Sequence, residues 1–218
     1  MNVAYNMDCM EYMKTVPDKY FDLAVVDPVY GDIGKGGYMN GTGGGLAKQK
    51  DYHDAIWKQE KTGKDYFDEL FRVSKNQIIW GGNYFVPEIG RESMCWLVWD
   101  KCHPDGVNYA DVELAYTSFR RSARIFRYLW NGFVQQNMKN KEVRIHPTQK
   151  PVALYEWIFQ NFAETGHKVL DTHLGSGSSR IAAYDAGLDF VGLGIDKEYF
   201  DKQEERFAAH TAQISLFV

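Results

Sequence analysis

Short β-rich apolar runs alternate with stretches of helical spacing along most of the chain, and this alternation restricts the fold more than any other feature. FDLAVVD (21–27), NQIIW (76–80), MCWLVWD (94–100), VELAYTS (112–118), KVLD (168–171) and DFVGLGI (189–195) read as strands. KDYFDELFRVS (64–74) has helical spacing, with Tyr66, Phe67, Leu70, Phe71 and Val73 on one side. PVALYEWIFQNFAE (151–164) reads as a helix with Pro151 in its first turn, GSSRIAAYDAG (177–187) as a helix closed by Gly187, and KEYFDKQEERFAAH (197–210) as a third. Strands alternating with helices predict an α/β fold, a mostly parallel sheet covered on both faces. At 218 residues a single domain with a sizeable core is expected.

Composition removes several classes. Hydrophobic residues make up 44% and charged residues 25% of the chain, which excludes disordered, collagen-like and coiled-coil proteins. No apolar run approaches the roughly 18–20 residues of a membrane span. The start, MNVAYNMDCMEYMK, lacks the basic-then-apolar layout of a signal peptide. Cys9, Cys95 and Cys102 are odd in number and form no CxxC pair, which argues against a disulfide framework or a zinc site. A cytoplasmic protein without a bound metal is expected.

The formal charge of −4 hides a strong asymmetry. Residues 119–150 carry Arg120, Arg121, Arg124, Arg127, Lys139, Lys141, Arg144 and Lys150 against Glu142 alone, while both flanking segments are acidic. Phe119, Phe126, Tyr128, Trp130 and Phe133 are interleaved with these charges, so the block is a candidate polyanion contact as well as a solvated segment. A second irregularity is the stretch 31–63. Eight of the fifteen residues from Gly31 to Gly45 are glycine, and a loop this long inside a compact domain is functional or disordered.

Two predicted strand ends carry chemistry. Asp27-Pro28-Val29-Tyr30 follows the apolar run LAVV, and in an open α/β sheet ligands bind beyond the carboxyl ends of the strands. The Asp27 carboxylate and the Pro28 carbonyl can accept hydrogen bonds from an NH₂ group, and Tyr30 offers a stacking face. An ordinary Asp-Pro turn would look the same. The second is KVLDTHLGSGSSRIAA, in which Gly175 and Gly177 separate a strand from a helix whose free N–H groups can meet a ligand. It lacks the third glycine of a dinucleotide fingerprint and the lysine of a phosphate loop, and tight packing alone can call for such a turn.

Taken together and in this order, DPVY, His-Pro-Thr-Gln-Lys-Pro (146–151) and DTHLGSGSS resemble the permuted β class of S-adenosylmethionine-dependent DNA amino-methyltransferases, and the resemblance spans nearly the whole chain. It implies a Rossmann-like methyltransferase fold, a doubly wound single domain with a small recognition insertion. It implies that Asp27, Pro28 and Tyr30 hold a flipped-out base of duplex DNA. The cofactor, S-adenosylmethionine, would meet Asp171, Gly175, Ser176 and Gly177 at its methionine end, with Thr148 and Lys150 nearby. Asp8 would face its adenine amine; the same residue also suits an N-cap for CMEYMKTV. The basic segment 119–145 stands where the family keeps target recognition, and the glycine-rich loop where it would close over the base. An acid at the first motif position is commoner among adenine-N6 enzymes than among cytosine-N4 enzymes.

Two positions depart from the family pattern. Val29 stands where a second proline is usual, which removes a φ restraint from the catalytic turn. Gly194, in Gly192-Leu193-Gly194-Ile195-Asp196, stands where an acid usually holds the cofactor ribose; Asp196, two residues on, either substitutes or caps the next helix. The leading reading is a DNA adenine-N6 methyltransferase. Cytosine-N4 methylation, protein glutamine methylation (against which the motif order argues) and a DNA-binding module with a weakened site are the alternatives. Gln213-Ile214-Ser215-Leu216-Phe217 resembles the peptide by which bacterial replication proteins dock on the DNA polymerase sliding clamp, although Leu216 and Phe217 would equally pack back on the domain. Dimers are common in the class.

Overall fold

A computed structural model of the chain describes residues 1–31, 60–104, 110–131 and 134–214. Most of the glycine-rich loop, Phe133 and the tail beyond Ile214 lie outside the described residues. Ten strands and six α-helices occur among them: β1 (Asn2–Tyr5), α1 (Cys9–Lys14), β2 (Phe21–Val26), α2 (Lys64–Val73), β3 (Ser74–Trp80), α3 (Val86–Ile89), β4 (Leu97–Asp100), β5 (Val112–Thr117), β6 (Arg124–Arg127), β7 (Trp130–Asn131), β8 (Val134–Gln135), α4 (Val152–Phe162), β9 (Lys168–Asp171), α5 (Ser178–Asp185), β10 (Asp189–Leu193) and α6 (Lys197–Ile214).

Eight strands form one sheet in the order β1-β10-β9-β2-β3-β5-β4-β6, and β7 and β8 make a separate small hairpin. Within the eight-stranded sheet all pairings are parallel except those of β5, which runs antiparallel to both β3 and β4. The expected mostly parallel, doubly wound sheet is therefore present. From β2 the chain moves to β3 on one side, whereas from β9 it moves to β10 on the other, so the order reverses between β2 and β9. That reversal opens a crevice at the carboxyl ends of these two strands.

Strand alternation builds two cores. Leu23 and Val25 of β2 point to the face covered by α4 and α5, with Ile158, Phe159 and Ala183. Ala24 and Val26 point to the face covered by α1 and α2, with Met13, Phe67 and Leu70. The five residues expected on the inner side of α2 are all buried. Among the described residues no helix is long and apolar enough to cross a membrane.

Several boundaries differ from the sequence reading. α2 ends where Ser74, the first residue of β3, turns extended (φ −124°, ψ 146°), and the Ser74 hydroxyl bonds back to the Leu70 carbonyl at 2.5 Å. Pro151 is the N-cap of α4 with extended backbone (ψ 148°), not part of its first turn. β4 starts only at Leu97, and α6 extends to Ile214. β1 and the edge strand β6 had no periodic signal, being short and only partly buried.

Candidate active site

The crevice between β2 and β9 widens into a cavity of about 790 Å³. Its lining takes in the acid turn after β2, the glycine turn after β9 and the segment before α4. Asp27, Pro28, Tyr30, Thr148, Lys150, Gly175, Ser176, Asp8 and Asp196 all line it. Residues separated by as many as 188 positions thus share one space.

The turn after β2 is tightly packed. Tyr30 donates its hydroxyl to one oxygen of Asp27 and sets its ring 5.1 Å from that of Tyr84 and 5.8 Å from that of Phe85. Gly81, at φ +65° just beyond β3, makes room for it: a Cβ there would lie 2.2 Å from the Tyr30 ring. Val29 lacks a proline ring, but its carbonyl is gripped by Thr62, which donates its backbone N–H at 3.1 Å and its hydroxyl at 3.2 Å. Burial, with Asp27 next in weight, pushes the Tyr30 phenol well above its ordinary range, so it stays a neutral donor.

Lys150 stands on the Asp27 side of the cavity. Its ammonium bonds the second oxygen of Asp27, and on its other side Glu113 Oε2 lies 3.2 Å away. The Lys101 ammonium holds the other Glu113 oxygen at 2.7 Å. Burial by itself would raise the Glu113 carboxyl; Lys150 and then Lys101 outweigh it and hold the group down to about 2. Four side chains from four parts of the chain thus form an alternating row of charges along one wall. β5 contributes Glu113 because its antiparallel course brings its first residues to the carboxyl ends of its neighbours. Glu113, Lys101 and the cavity-lining Trp130 were not singled out from the sequence as site residues.

On the opposite wall, Asp171 and Gly177 support the glycine turn rather than line the cavity. Asp171 accepts from the Ser179 hydroxyl and the His173 backbone N–H, tying the end of β9 to the start of α5. Burial pushes its carboxyl up to about 6. Gly177, at φ +73°, is the N-cap of α5, and a Cβ on it would press within 3.1 Å of Gln203. His146 lies over this turn, edge-on to Tyr199 at 4.5 Å between ring centroids, and Thr148 Oγ1 is 3.1 Å from its Nδ1. Burial lowers both His146 and His173 to about 4, so both imidazoles are neutral at pH 7.

Asp8 and Asp196 both serve as helix caps. Asp8 Oδ1 accepts from the backbone N–H groups of Met10 and Glu11, and Asp196 Oδ1 from that of Tyr199 at 3.1 Å. Each caps its helix from the cavity rim, so capping and a role toward a ligand are compatible. Gly194 also lines the cavity, and a Cβ there would meet only Phe200 at an ordinary 3.5 Å. The lining charges are four carboxylates (Asp8, Asp27, Glu113, Asp196) against two ammonium groups, Lys101 and Lys150.

The basic residues divide. Arg120, Arg124, Arg127, Lys139 and Lys141 are exposed, with Arg124 and Arg127 on edge strand β6. Arg121 stacks on the Phe162 ring at 3.8 Å and bonds the Asn161 carbonyl, and Arg144 bonds the Pro147 carbonyl at 2.5 Å. Both are committed within the fold. The segment carrying them returns from the sheet edge through Trp130, whose indole N–H donates to the Gln149 carbonyl at 3.0 Å.

The DNA methylase family profile of the N6/N4 type matches residues 92–205, more than half of the chain. The chain belongs to the DNA methylase family. This methylase is 22% identical to the type II methyltransferase M.HinfI of Haemophilus influenzae, over 94% of its own length and 68% of that relative. It is 24% identical to the methylase YubD of Escherichia coli, over 93% and 88% of the two chains. Among solved structures it is similar to the M1.HpyAVI complex with SAM (TM-score 0.59, 18% identity, 94% and 100% coverage). It is likewise similar to the cytosine-N4-specific PvuII DNA methyltransferase (TM-score 0.63, 13% identity, 95% and 86% coverage). At these identities the two structures show a shared fold, that of Rossmann-like methyltransferases.

Proposed function

We propose that this DNA methylase transfers a methyl group from S-adenosylmethionine to the exocyclic N6 amine of adenine in duplex DNA, with the target base flipped out into the cavity. The observation that carries the reading is the pairing of an acid turn, Asp27 to Tyr30, with a glycine turn across a single cavity at the switch point. The volume of about 790 Å³ suits a small-molecule site. The excess of carboxylates in the lining suits a cationic cofactor. When bound, S-adenosylmethionine supplies an electrophilic methyl group on a sulfonium centre.

The chain's residues must make a poor nucleophile attack. The lone pair of an exocyclic amine is delocalised into the ring, and acceptors aimed at its two hydrogens favour the tetrahedral geometry that frees it. The Asp27 carboxylate and the Pro28 carbonyl are the acceptors, and Tyr30 offers its ring to the base. Such a site acts by positioning and electrostatics. The glycine turn and the N-terminus of α5, with Ser176 and Thr148, would bind the methionine end of the cofactor, Asp171 and Gly177 holding the turn in place, while Asp8 and Asp196 face its adenosine part. Extrusion of the base costs a few kcal/mol, offset by phosphate contacts from the exposed basic residues.

Transfer of labelled methyl to unmethylated duplex DNA, followed by nucleoside analysis, tests the assignment. Label in N6-methyladenine is expected. Label in N4-methylcytosine would correct the base while leaving the mechanism intact. The C-terminal segment Gln213–Phe217 is proposed to dock on the sliding clamp. Removal of residues 213–218 should then abolish clamp pull-down and leave methylation of short duplexes unchanged; persistent pull-down would contradict it.

A further inference from the structure

The row Asp27–Lys150–Glu113–Lys101 poses a problem for the reaction, and the inference drawn from it rests on the amine-methylation reading above. The amine nitrogen gains positive charge as its bond to the methyl carbon forms, and Asp27 is the carboxylate that must face it. Yet the buried ammonium of Lys150 occupies one Asp27 oxygen and the Tyr30 hydroxyl the other. A cation held against that carboxylate weakens it as an acceptor and opposes the developing charge. Expelling Lys150 to water is not open to it, because its side chain is only 4% exposed.

The surroundings offer an alternative. Glu113 Oε2 already lies 3.2 Å from the Lys150 ammonium, and the Trp80 ring centroid is 5.7 Å from it. Glu113 keeps its own cation, Lys101, on its outer oxygen, at 2.7 Å. An ammonium on a long flexible stem can change carboxylates here without losing a partner. We propose that Lys150 is a charge latch: it closes on Asp27 in the DNA-free protein and shifts to Glu113 when the target amine enters, which uncovers the acceptor. Lys150 and Glu113 are thus positioning residues for methyl transfer. The other titratable groups around Asp27 are Tyr30 in its own turn, Tyr66 of α2, Tyr155 of α4, Asp171 of β9, and His146 and His173, both neutral at pH 7.

A double-mutant cycle tests this. Glu113→Gln keeps shape and an acceptor for Lys101 but removes the charge that receives Lys150. Its kcat should fall about tenfold, with cofactor affinity and KM for DNA within twofold of wild type; Glu113→Asp should recover most of the rate. Because Glu113 acts only through Lys150, Glu113→Gln combined with Lys150→Met should be no slower than Lys150→Met alone. The acid limb of the kcat profile should move about one pH unit upward in Lys150→Met and downward in Glu113→Gln, a response that loss of packing would not produce. Wild-type kcat in Glu113→Gln, or losses that multiply in the double variant, would overturn the latch. If the wild-type chain methylates no DNA, the function reading fails by itself. The latch is then decided by the position of the Lys150 side chain in the chain's crystal complex with duplex DNA: its ammonium on Glu113 supports it, and an ammonium still on Asp27 overturns it.

Discussion

At the scale of single residues, Val29 and Gly194 are the two places where this methylase departs from the pattern it resembles. The structure treats them differently. Thr62 grips the Val29 carbonyl through two hydrogen bonds, so the turn after β2 has a restraint that no proline supplies. Gly194 has no comparable replacement: its carbonyl accepts from the Asn6 side chain at 2.7 Å, and nothing acidic occupies its position. A side chain fits there, since its Cβ meets only Phe200 at 3.5 Å. Gly194→Glu is therefore expected to tighten cofactor binding about tenfold or more, the worth of one or two hydrogen bonds to a charged acceptor at about 1.5–3 kcal/mol each. Calorimetric titration with S-adenosylmethionine reads the change, and unaltered affinity would show that Asp196 already fills the role.

At the scale of elements, the turns after β2, β3 and β9 hold the site, and each depends on close packing. Gly81→Ala forces a Cβ into the Tyr30 ring at a positive φ. It should cost about 2 kcal/mol or more of stability and nearly all methyl transfer; a denaturant midpoint and an activity close to wild type would contradict the assigned packing. The legibility of these elements followed their physics. β2, α2 and β9 are long or strongly apolar and carry their period on their surface, and the acid and glycine turns were visible at their ends. β6 was not, because RIFR at a sheet edge is mostly exposed and buries too little to leave a pattern. Glu113 and Lys101 are not legible as site residues because their place depends on β5 running against its neighbours, a matter of topology that spacing does not reveal. The partner of Lys150 is hidden for a related reason: its motif fixes its identity, but the carboxylate it pairs with lies 123 residues away.

At the scale of the whole molecule, buried titratable groups around one cavity tie stability to pH. His146 and His173 are lowered in the folded chain to about 4, against an ordinary value of 6.5. As pH falls below 6.5 the unfolded chain takes up protons that the folded chain refuses, so stability falls. Between pH 6.5 and 5 this amounts to about 2 kcal/mol for each histidine. Asp171 works in the other direction. Its carboxyl is raised to about 6, so the folded chain is protonated first and regains about 1 kcal/mol between pH 6 and 5. A net loss of about 2–3 kcal/mol is expected on going from pH 6.5 to 5, read as a lowered urea midpoint. Below pH 4.5 the Glu113 carboxyl, held down to about 2, adds its own loss. A midpoint constant from pH 6.5 to 5 would contradict the burial of the two imidazoles.

The exposed basic residues make a second prediction at this scale. Arg120, Arg124, Arg127, Lys139 and Lys141 are exposed outside the switch-point cavity, so duplex binding should weaken steeply with salt. If most of the five meet phosphates, log K against log salt should have a slope of about −3 to −5. A flat dependence would assign DNA binding elsewhere.

Whether Asp27 at the switch-point cavity drives methyl transfer to DNA is decided by comparing wild type with Asp27→Asn in one experiment. Binding of S-adenosylmethionine and transfer of its labelled methyl to duplex DNA are measured side by side. Both chains should bind the cofactor within about threefold of each other, while the variant transfers methyl at least about 100-fold more slowly. Equal rates in the two chains, or a wild type that binds cofactor and DNA yet transfers nothing, would contradict it.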